Sequence, residues 1–512
     1  MTVAAPAPAR VRYQVTYAVL ALGVVAFVLQ QGLVAPVLPT LQRELGTTQA
    51  DITWVITANF LATAVFTPIL GRLGDMYGKK RVFVLALGAV AVGGLLAALA
   101  TSLPLMIVGR LFMGAGGGVL PLTFGIIRDE FPPERVPGTI GTISSLMAVG
   151  GALGTVLAGP IVDVLGWRWL FWIPMLLVTL AAVAAQRVVP ESRSRTGGTL
   201  NPLAALLLSG WLVCLLLAIS RAPQWGWASG PVLGMLAGSA VLLGTWVGVE
   251  TRARQPLIDM RMMRLRGVWT ANVVGLLFGA AMYSGFTFIP QFLQTPESTG
   301  YGLGASITAS GLVLLPQAAG SFVIGLASGR LARRFGSKNL LVVGALATSA
   351  GFALFALLGH SLWQAGLVCV LLGVGFGMSF SAMANLVVAA VPSSQTGVAS
   401  GMNTNIRTIG GSIGTAVLAG VVTAGATSSG LPQESGYTTA FLLSAAGLLL
   451  AAVAALLVPA VRRDPVTQEE PEVPDRHPQA AIVAGGTLVG DGREQPVQPD
   501  PYRNAAGRAA RS

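Results

Sequence analysis

The stretch GRLGDMYGKKR, residues 71–81, is the part of the sequence that decides the fold. It places one acid, Asp75, among four cations, and it separates two long apolar runs, residues 52–70 and 82–100. Such a concentration of charge is unusual in a chain that is 53% hydrophobic and 10% charged, since a soluble domain carries roughly 25% charged residues. Apolar runs of about 20 residues, each able to cross a bilayer, recur on both sides of the stretch. The sequence therefore predicts an integral membrane protein with short charged loops.

Fourteen apolar segments are long enough to be transmembrane helices. Their continuous apolar character differs from the alternating strands of about ten residues that build a membrane barrel, so we predict an all-α protein. The first segment follows Arg10 and Arg12 and is longer than the apolar region of a signal peptide, which indicates a retained helix. The predicted helices cover residues 13–38, 52–71, 82–100, 104–127, 139–161, 169–187, 201–220, 230–249, 268–292, 304–328, 339–358, 362–386, 396–423 and 438–460.

The basic residues are distributed unequally between the two sets of loops. With the N-terminus in the cytoplasm, the cytoplasmic loops and helix ends hold 22 Lys and Arg residues, and the external loops hold three. Because cytoplasmic loops retain positive charge, we predict a multi-pass protein of the bacterial cytoplasmic (inner) membrane with both termini inside. The dispersal of these cations over short loops argues against nucleic-acid binding.

An internal repeat divides the chain into two halves. The tripeptide GRL occurs at residues 71–73 and again at 329–331, and a Gly-x-Gly segment occurs at 114–116 and again at 373–375. GGALGT in the fifth predicted helix is similar to GGSIGT in the thirteenth. The three pairs follow the same order at nearly the same offset, which indicates a duplication of a six-helix unit. Two parallel repeats of this kind are a transporter architecture.

The repeat gives a domain organisation with two extra helices between the copies. The C-terminal tail is rich in Pro, Glu, Gln and Gly, so we predict a disordered segment, with the binding of a partner as the alternative. The predicted parts are a cytoplasmic N-terminus (1–12), an N-terminal six-helix bundle (13–187), a linker with two transmembrane helices (188–267), a C-terminal six-helix bundle (268–460) and a cytoplasmic tail (461–512).

Several motifs resemble one family of membrane proteins. GRLGDMYGKKR is similar to the loop signature of the major facilitator superfamily, Gly-x-Leu-x-Asp-x-x-Gly followed by basic residues, and VGRLFMGAG resembles the Arg motif of that family's fourth helix. ETRARQPLIDMRMMR, GWRWLFWIP and VPSSQTGVASGMNTNIRTIGG resemble segments of its fourteen-helix drug:proton antiporters. The resemblance covers residues 13–460 and implies the major facilitator fold.

The resemblance implies that the opening stretch belongs to a conformational latch. Asp75 is expected at the N-terminus of a helix of the opposite bundle that begins at 393–396, where a helix dipole favours an acid by about 0.3–1 kcal/mol. Lys79 is expected to pair with Asp129, whereas the second copy carries Arg333 in place of the acid, so one latch of this type is predicted. The alternative is that the stretch only anchors the loop at the cytoplasmic side. The predicted latch residues are Gly71, Asp75, Gly78, Lys79 and Asp129.

Two cations fall inside predicted helices. Burial of Arg110 costs about 2.5 kcal/mol or more, so its side chain should face the bundle interior, and the resemblance implies a role in proton coupling. Snorkelling to the interface is the alternative, and it is equally open for Arg407. Many family members carry an acid in the first helix, in the pattern Leu-Asp-x-Thr, where this chain has Leu-Gln-Gln-Gly from residue 29. Asp163 is the remaining candidate for a protonatable site.

The helices that would line the centre contribute few charges, which suggests a large, mostly apolar pocket for an amphiphilic or aromatic compound. Each polar or aromatic residue there has packing or interhelical hydrogen bonding as its alternative role. The predicted substrate-cavity residues are Gln30, Gln31, Asn59, Tyr283, Phe286, Gln291, Gln317 and Asn403.

These observations predict a secondary active efflux transporter that exchanges a hydrophobic drug or antibiotic for protons by alternating access. The alternative is a proton-coupled or facilitative transporter of a small metabolite. The sequence contains no Walker A or HExxH pattern, and the loops leave no room for a catalytic domain, so we predict neither an enzyme nor a metal site. We expect a monomer that binds its substrate, protons and membrane lipid, with the proton gradient as the energy source and no bound cofactor.

Overall fold

The computed structural model describes residues 11–47, 49–52, 54–191, 201–253, 256–359, 361–423 and 432–459. Within these ranges, fourteen helices are long and apolar enough to cross a membrane, so the predicted all-α membrane fold is confirmed. The predicted tail, residues 461–512, and most of the predicted N-terminal segment, residues 1–12, lie outside the described residues. The boundaries of the predicted domains stay predictions.

We number the fourteen spanning helices α1 to α14 in chain order. Short helices at Leu38–Glu44, Gln49–Ile52 and Met260–Met263 lie between them. The spanning helices are α1 Val11–Val34, α2 Trp54–Tyr77, α3 Lys79–Ala98, α4 Leu103–Glu130, α5 Val136–Leu165, α6 Trp169–Val188, α7 Pro202–Trp225, α8 Gly230–Arg252, α9 Arg266–Gln294, α10 Ile307–Phe335, α11 Ser337–Leu358, α12 Leu362–Ala390, α13 Thr396–Thr423 and α14 Glu434–Leu456.

The helix ends follow from local sequence. Gly78 separates α2 from α3 and has φ +112°, a conformation that a residue with a side chain rarely adopts. Asn201 caps α7, since its Oδ1 accepts from the backbone N–H of Leu203 at 3.0 Å, and Pro202 occupies the first helical position. In the middle of α4, five residues from Gly114 form a turn of 3-10 helix. A Cβ added at Gly114 would lie 2.3 Å from the Cβ of Ala62, so this segment lets α4 pack closely on α2.

The helix packing repeats between the halves. In the N-terminal half, α1 packs on α5 and α3 packs on α6; in the C-terminal half, α9 packs on α13 and α11 packs on α14 in the same way. The halves meet along two seams, α2 against α13 and α5 against α10. The second and fifth helices of each copy therefore form the boundary between the halves.

The two extra helices pack on the α2–α13 seam. Helix α7 contacts both α2 and α13. Its partner α8 is held to it by the hydroxyl of Ser239, which donates to the Trp211 carbonyl at 3.0 Å, and by Trp246, whose ring centroid is 6.2 Å from that of Trp211. At the other end of α7, the Arg221 guanidinium lies 4.4 Å from the Trp54 ring of α2, a cation–π contact. The pair is thus fastened to the seam.

One end of the molecule carries the arginine-rich segments 71–81, 128–135 and 329–338, and we call it the basic end. Hydrogen bonds join the two halves near this end, where the Asn385 amide donates to the Pro137 carbonyl at 3.2 Å, and deeper in the α2–α13 seam, where the Asn405 amide donates to the Ala64 carbonyl at 2.6 Å. Two further contacts have the Ser381 hydroxyl at 3.2 Å from the Gly141 carbonyl and the Thr142 hydroxyl at 3.3 Å from the Gly325 carbonyl. The basic end is therefore closed.

Gly71 makes this closure possible, because a Cβ at that position would lie 2.6 Å from the Gly397 carbonyl oxygen. We expect Gly71→Val to force the halves apart at a cost of about 1–3 kcal/mol, enough to shift the closed population by about fivefold or more. The measurement is the rate at which Ser400→Cys, a buried position between the halves, reacts with a thiol reagent after Cys214 and Cys369 have been replaced.

The matched control is Gly88→Val on α3, where an added Cβ meets nothing within 4 Å. Equal labelling rates in Gly71→Val, Gly88→Val and the parent would show that the glycine contact does not hold the basic end closed.

Candidate functional site

Asp75 lies in the last turn of α2 and joins it to α13 in the other half. Its side chain is 0% exposed, and its two carboxylate oxygens accept from the backbone N–H groups of Val398 at 3.1 Å and Gly397 at 3.4 Å. These donors belong to the first turn of α13, where the N–H groups have no partner inside the helix and the dipole is positive. Charge-assisted hydrogen bonds of this kind offset the cost of burying the carboxylate.

Lys79, one turn beyond Asp75, is also 0% exposed. Its Nζ lies 2.8 Å from Asp129 Oδ2 on α4 and 3.9 Å from Asp75 Oδ1. The aliphatic part of the lysine fills space left by Gly125, where an added Cβ would lie 2.7 Å from Lys79 Cδ. Next to Asp129, the Arg128 guanidinium donates to the Thr396 hydroxyl of α13 at 2.8 Å. The structure thus brings the predicted latch residues together, and their role in transport stays a prediction.

Glu250, near the end of α8, is a buried acid that the sequence analysis missed. It is 2% exposed, and its Oε2 accepts from the Ile258 backbone N–H at 3.4 Å, which ties the chain after α8 back onto the helix. Arg72 is close enough to interact electrostatically with both Glu250 and Asp75. Arg72 therefore lies near an acid of the extra helices as well as near the latch acid. A single acid in the otherwise apolar run of α8 was the signal that could have identified it.

Arg110 is buried inside the N-terminal half. Its Nε donates to the Val55 carbonyl of α2 at 2.9 Å, and its own carbonyl accepts from the Asn59 amide at 3.0 Å. Its Nη1 has no hydrogen-bond partner among the described residues, and the same holds for the buried Nε2 of Gln30 on α1. Arg110 therefore faces the bundle interior as predicted, in polar surroundings where the described residues supply no carboxylate partner.

Asp163 does not share this environment. It lies in the last turn of α5, and its side chain is exposed. Asp163 therefore differs from Arg110 in burial, and its role as a protonatable site stays a prediction. In the described ranges Asp75 and Glu250 are buried residues, and the Asp129 side chain is 6% exposed in its contact with Lys79.

A hollow lies between the halves on the basic side of the centre. Its volume is about 10 Å³, the space of a single water, and it is lined by Arg407, Asn403 and Thr404 of α13 together with Phe380 of α12 and Phe124 of α4. The Arg407 guanidinium lies 4.8 Å from the Phe380 ring centroid and is 6% exposed as a residue. Ligand pockets measure about 300–1,000 Å³, so this hollow must expand before it can hold a drug-sized molecule.

The other predicted cavity residues are distributed more widely than expected. Tyr283 is half-buried beside Phe60 of the other half, with ring centroids 6.5 Å apart, and Phe286 is 42% exposed against Phe376. Gln291 is exposed one turn from the end of α9, so its predicted place at the centre is wrong. Three further residues lie on the helices expected but are not among those that line the hollow: Gln31, half-buried, and Gln30 and Gln317, both buried.

Comparison with known proteins agrees with this architecture. The family model of the Major Facilitator Superfamily matches residues 20–415. The fourteen-helix fold, the repeated packing of the halves and the Asp75 contact across them fit that assignment. The chain belongs to the major facilitator superfamily.

Its relatives include proteins named for antibiotic export and multidrug efflux. The chain is 30% identical over 413 residues to the tetracenomycin C resistance and export protein of Streptomyces glaucescens, an alignment that covers 79% of this chain and 74% of the relative. It is 33% identical over 441 residues to the cephamycin export protein CmcT of Amycolatopsis lactamdurans, covering 83% and 88% of the two chains. The multidrug efflux pump LfrA of Mycolicibacterium smegmatis is 28% identical over 417 residues, covering 81% of each chain.

Solved structures support the fold alone. The human organic anion transporter MFSD10 superposes with a TM-score of 0.61 at 18% identity, covering 86% of this chain and 99% of that one. The proton:xylose symporter XylE superposes with a TM-score of 0.63 at 14% identity, covering 88% and 97%.

Lys79 is buried between two acids, so its removal should be costly. We expect Lys79→Met to lower the free energy of unfolding by about 3–5 kcal/mol, because Asp75 and Asp129 lose their shared buried cation. The neighbouring change Lys80→Met removes the same charge at a less buried position and should cost less than about 1 kcal/mol. Thermal unfolding of both variants in detergent measures the difference, and equal unfolding temperatures would contradict the assigned role of Lys79.

Proposed function

We propose that the protein is a secondary active exporter of hydrophobic, drug-like compounds, which it exchanges for protons by alternating access. The observation that carries the proposal is the buried contact of Asp75 with the first turn of α13, placed where the two repeated halves close on each other. The export functions named for the relatives at 28–33% identity support it.

The basic end faces the cytoplasm in this proposal. The loops on the basic side hold 22 basic residues and those on the other side hold three, which supports that orientation, with both termini on the cytoplasmic side of the membrane. The closed basic end then belongs to the conformation that shields the substrate path from the cytoplasm. Separation of α2 from α13 and of α5 from α10 opens that path and widens the hollow. Substrate enters from the cytoplasm or the inner leaflet, and the reverse movement of the halves carries it outward.

Proton entry supplies the energy, with each charge that moves down 100 mV worth about 2.3 kcal/mol. The first helix carries Gln30 and Gln31, which cannot bind a proton at physiological pH. We therefore assign proton exchange to a buried carboxylate outside that helix. Asp75 fits this role, since protonation would remove the charge that the α13 N-terminus attracts and would weaken the contact between the halves.

Asp75→Asn is the direct test of the latch. The amide keeps the shape of the side chain but loses its charge and presents a donor to the N–H groups of α13, so we expect at least a tenfold loss of transport while the protein remains in the membrane. The assay is drug movement in proteoliposomes with an imposed pH gradient and a panel of lipophilic compounds. Asp163→Asn, an exposed acid at the opposite end, is the matched control and should transport normally.

The outcomes separate the two candidate functions. Export that follows the pH gradient supports antiport. Drug movement that ignores the gradient would remove the proton-coupling proposal and favour the facilitative alternative, for which the loss of an acid in the first helix is the motivating observation. Full activity of Asp75→Asn would refute the latch.

The charge of the hollow points to the kind of substrate. Arg407 is the charged residue that lines it, beside Asn403, Ser400 and Thr404, and no carboxylate belongs to its described lining. A buried guanidinium favours a ligand with an acidic or hydrogen-bond-accepting group and disfavours a cation. We therefore place acidic or neutral aromatic compounds ahead of lipophilic cations.

Arg407→Gln tests this preference. A hydrogen bond to a charged group contributes about 1.5–3 kcal/mol, so the KM for a carboxylated aromatic drug should rise by about tenfold or more, while that of its methyl ester should change little. Arg407→Lys keeps the charge and should show a smaller effect on the acid. An equal rise in KM for acid and ester would mean that Arg407 contributes only to packing.

A further inference from the structure

A second site-like feature lies at the basic end, on the seam that the latch does not occupy. It is a groove of about 530 Å³ between α1, α5 and α10. Three arginines and a single acid line it, so its described lining has an excess of two positive charges. The residues that line it include Tyr13, Tyr17, Phe131, Glu134, Arg135, Leu326, Arg330 and Arg333.

The groove lies at the α5–α10 seam. This seam corresponds by the repeat to the α2–α13 seam, where the latch lies. The close approach of Gly71 to Gly397 has a counterpart in Gly329 and Gly138, where a Cβ added to Gly329 would lie 2.7 Å from the Gly138 Cα. By the offset of the repeat, Gly329 corresponds to Gly71, and Gly138 corresponds to Gly397. In the second copy, α10 approaches the first turn of α5, whereas in the first copy α2 approaches the first turn of α13.

The charge at this place is reversed between the copies. Arg333 stands where the first copy has Asp75, and its Nη1 donates to the Glu134 carbonyl at 3.5 Å, just before α5 begins. A cation there meets the positive end of the α5 dipole, which favours an anion. In the first copy, the Asp75 carboxylate is the anion at the N-terminus of α13. In the second copy, cations lie at the N-terminus of α5.

The arginines are arranged to bind an anion. The Arg135 guanidinium lies 4.9 Å from the Tyr13 ring centroid and donates to the Tyr13 hydroxyl, so part of its fork is already oriented. Arg330 and Arg333 project into the same groove from the last two turns of α10. Several guanidinium groups around one space match the oxygens of a phosphate group, to which they can donate pairs of hydrogen bonds.

The remaining wall of the groove suits a lipid rather than a free phosphate. Leu326 lines it one turn deeper along α10 and is 58% exposed, and Val323, one turn deeper again, is 61% exposed. Tyr13, Tyr17 and Phe131 add the aromatic groups that are enriched at the membrane interface. The groove thus runs from a basic end to an apolar flank that an acyl chain can follow.

We propose that the groove binds the phosphodiester group of an anionic phospholipid, which bridges the two halves and stabilises the closed basic end. The lipid phosphate would occupy, in the second copy, the position of the Asp75 carboxylate in the first. Anionic lipids are concentrated in the cytoplasmic leaflet, which is where the proposed orientation places the groove. The binding itself can be tested without any transport assay, so it stands or falls separately from the proposed export function.

The experiment is a titration of detergent-solubilised protein with phosphatidylglycerol, read as the shift in thermal unfolding temperature. Phosphatidylcholine is the neutral lipid control, and sn-glycerol 3-phosphate tests whether a soluble phosphate suffices. We expect phosphatidylglycerol alone to raise the unfolding temperature at micromolar concentration. Each of Arg330→Gln and Arg333→Gln should weaken its apparent affinity by about fivefold, in line with the contribution of one basic residue near an anionic surface.

Arg334→Gln is the matched control, since Arg334 is on the same helix end but stacks near Phe335 and is not among the residues that line the groove. It should bind phosphatidylglycerol as the parent does. Arg333→Asp recreates the acid of the first copy, and it should abolish the lipid effect without lowering the unfolding temperature of the lipid-free protein. An equal shift with phosphatidylcholine or with glycerol phosphate, or an equal loss of affinity in Arg334→Gln, would overturn the proposal.

Discussion

The contact between the Asp75 carboxylate and the first turn of α13 is the constraint on which the rest of the structure depends. A buried carboxylate is stable only while its hydrogen bonds are made, and here the donors come from the opposite half. When the halves separate, water can solvate both the acid and the N–H groups of Gly397 and Val398. The carboxylate and the N–H groups are therefore hydrogen-bonded to each other when the halves are closed and to water when the halves are apart. In a partly opened gap, these polar groups have neither set of hydrogen bonds. Such an interaction favours two discrete arrangements over a continuum.

Small residues allow that contact to form. The backbones of α2 and α13 approach each other at Gly71 and Gly397, so at this point of the seam the halves meet through main chain. A contact of this kind can separate without repacking large side chains. The extra helices add a second element to the same seam, because α7 contacts both α2 and α13, and Arg72 interacts with Glu250 of α8 as well as with Asp75. The fourteen-helix form of the fold thus adds a covering layer and a further charge beside the latch.

Hydropathy was sufficient to predict the fourteen spans, whereas the grouping of Asp75, Lys79 and Asp129 depended on the resemblance of the loop to a family signature. The rotation of each helix could not be predicted, because lipid and protein interior are both apolar and a membrane helix lacks a clear polar face. This is why Gln291, which lies near a helix end and is exposed, was grouped with residues of the central cavity. The same ambiguity hid Glu250, whose burial depends on how α8 turns toward the segment after it.

The two copies of the repeat close the same end of the molecule by different means. In the first copy the anion at the helix N-terminus is covalently part of the chain, so its contribution to closure is fixed by the sequence. In the second copy Arg333 replaces it, and the balance of charge at the start of α5 depends on what the surroundings supply. One seam then sets an intrinsic preference for the closed state, and the other allows the membrane to adjust that preference. A duplicated fold in which both seams carried the acid would close equally well in any membrane and would lose that dependence.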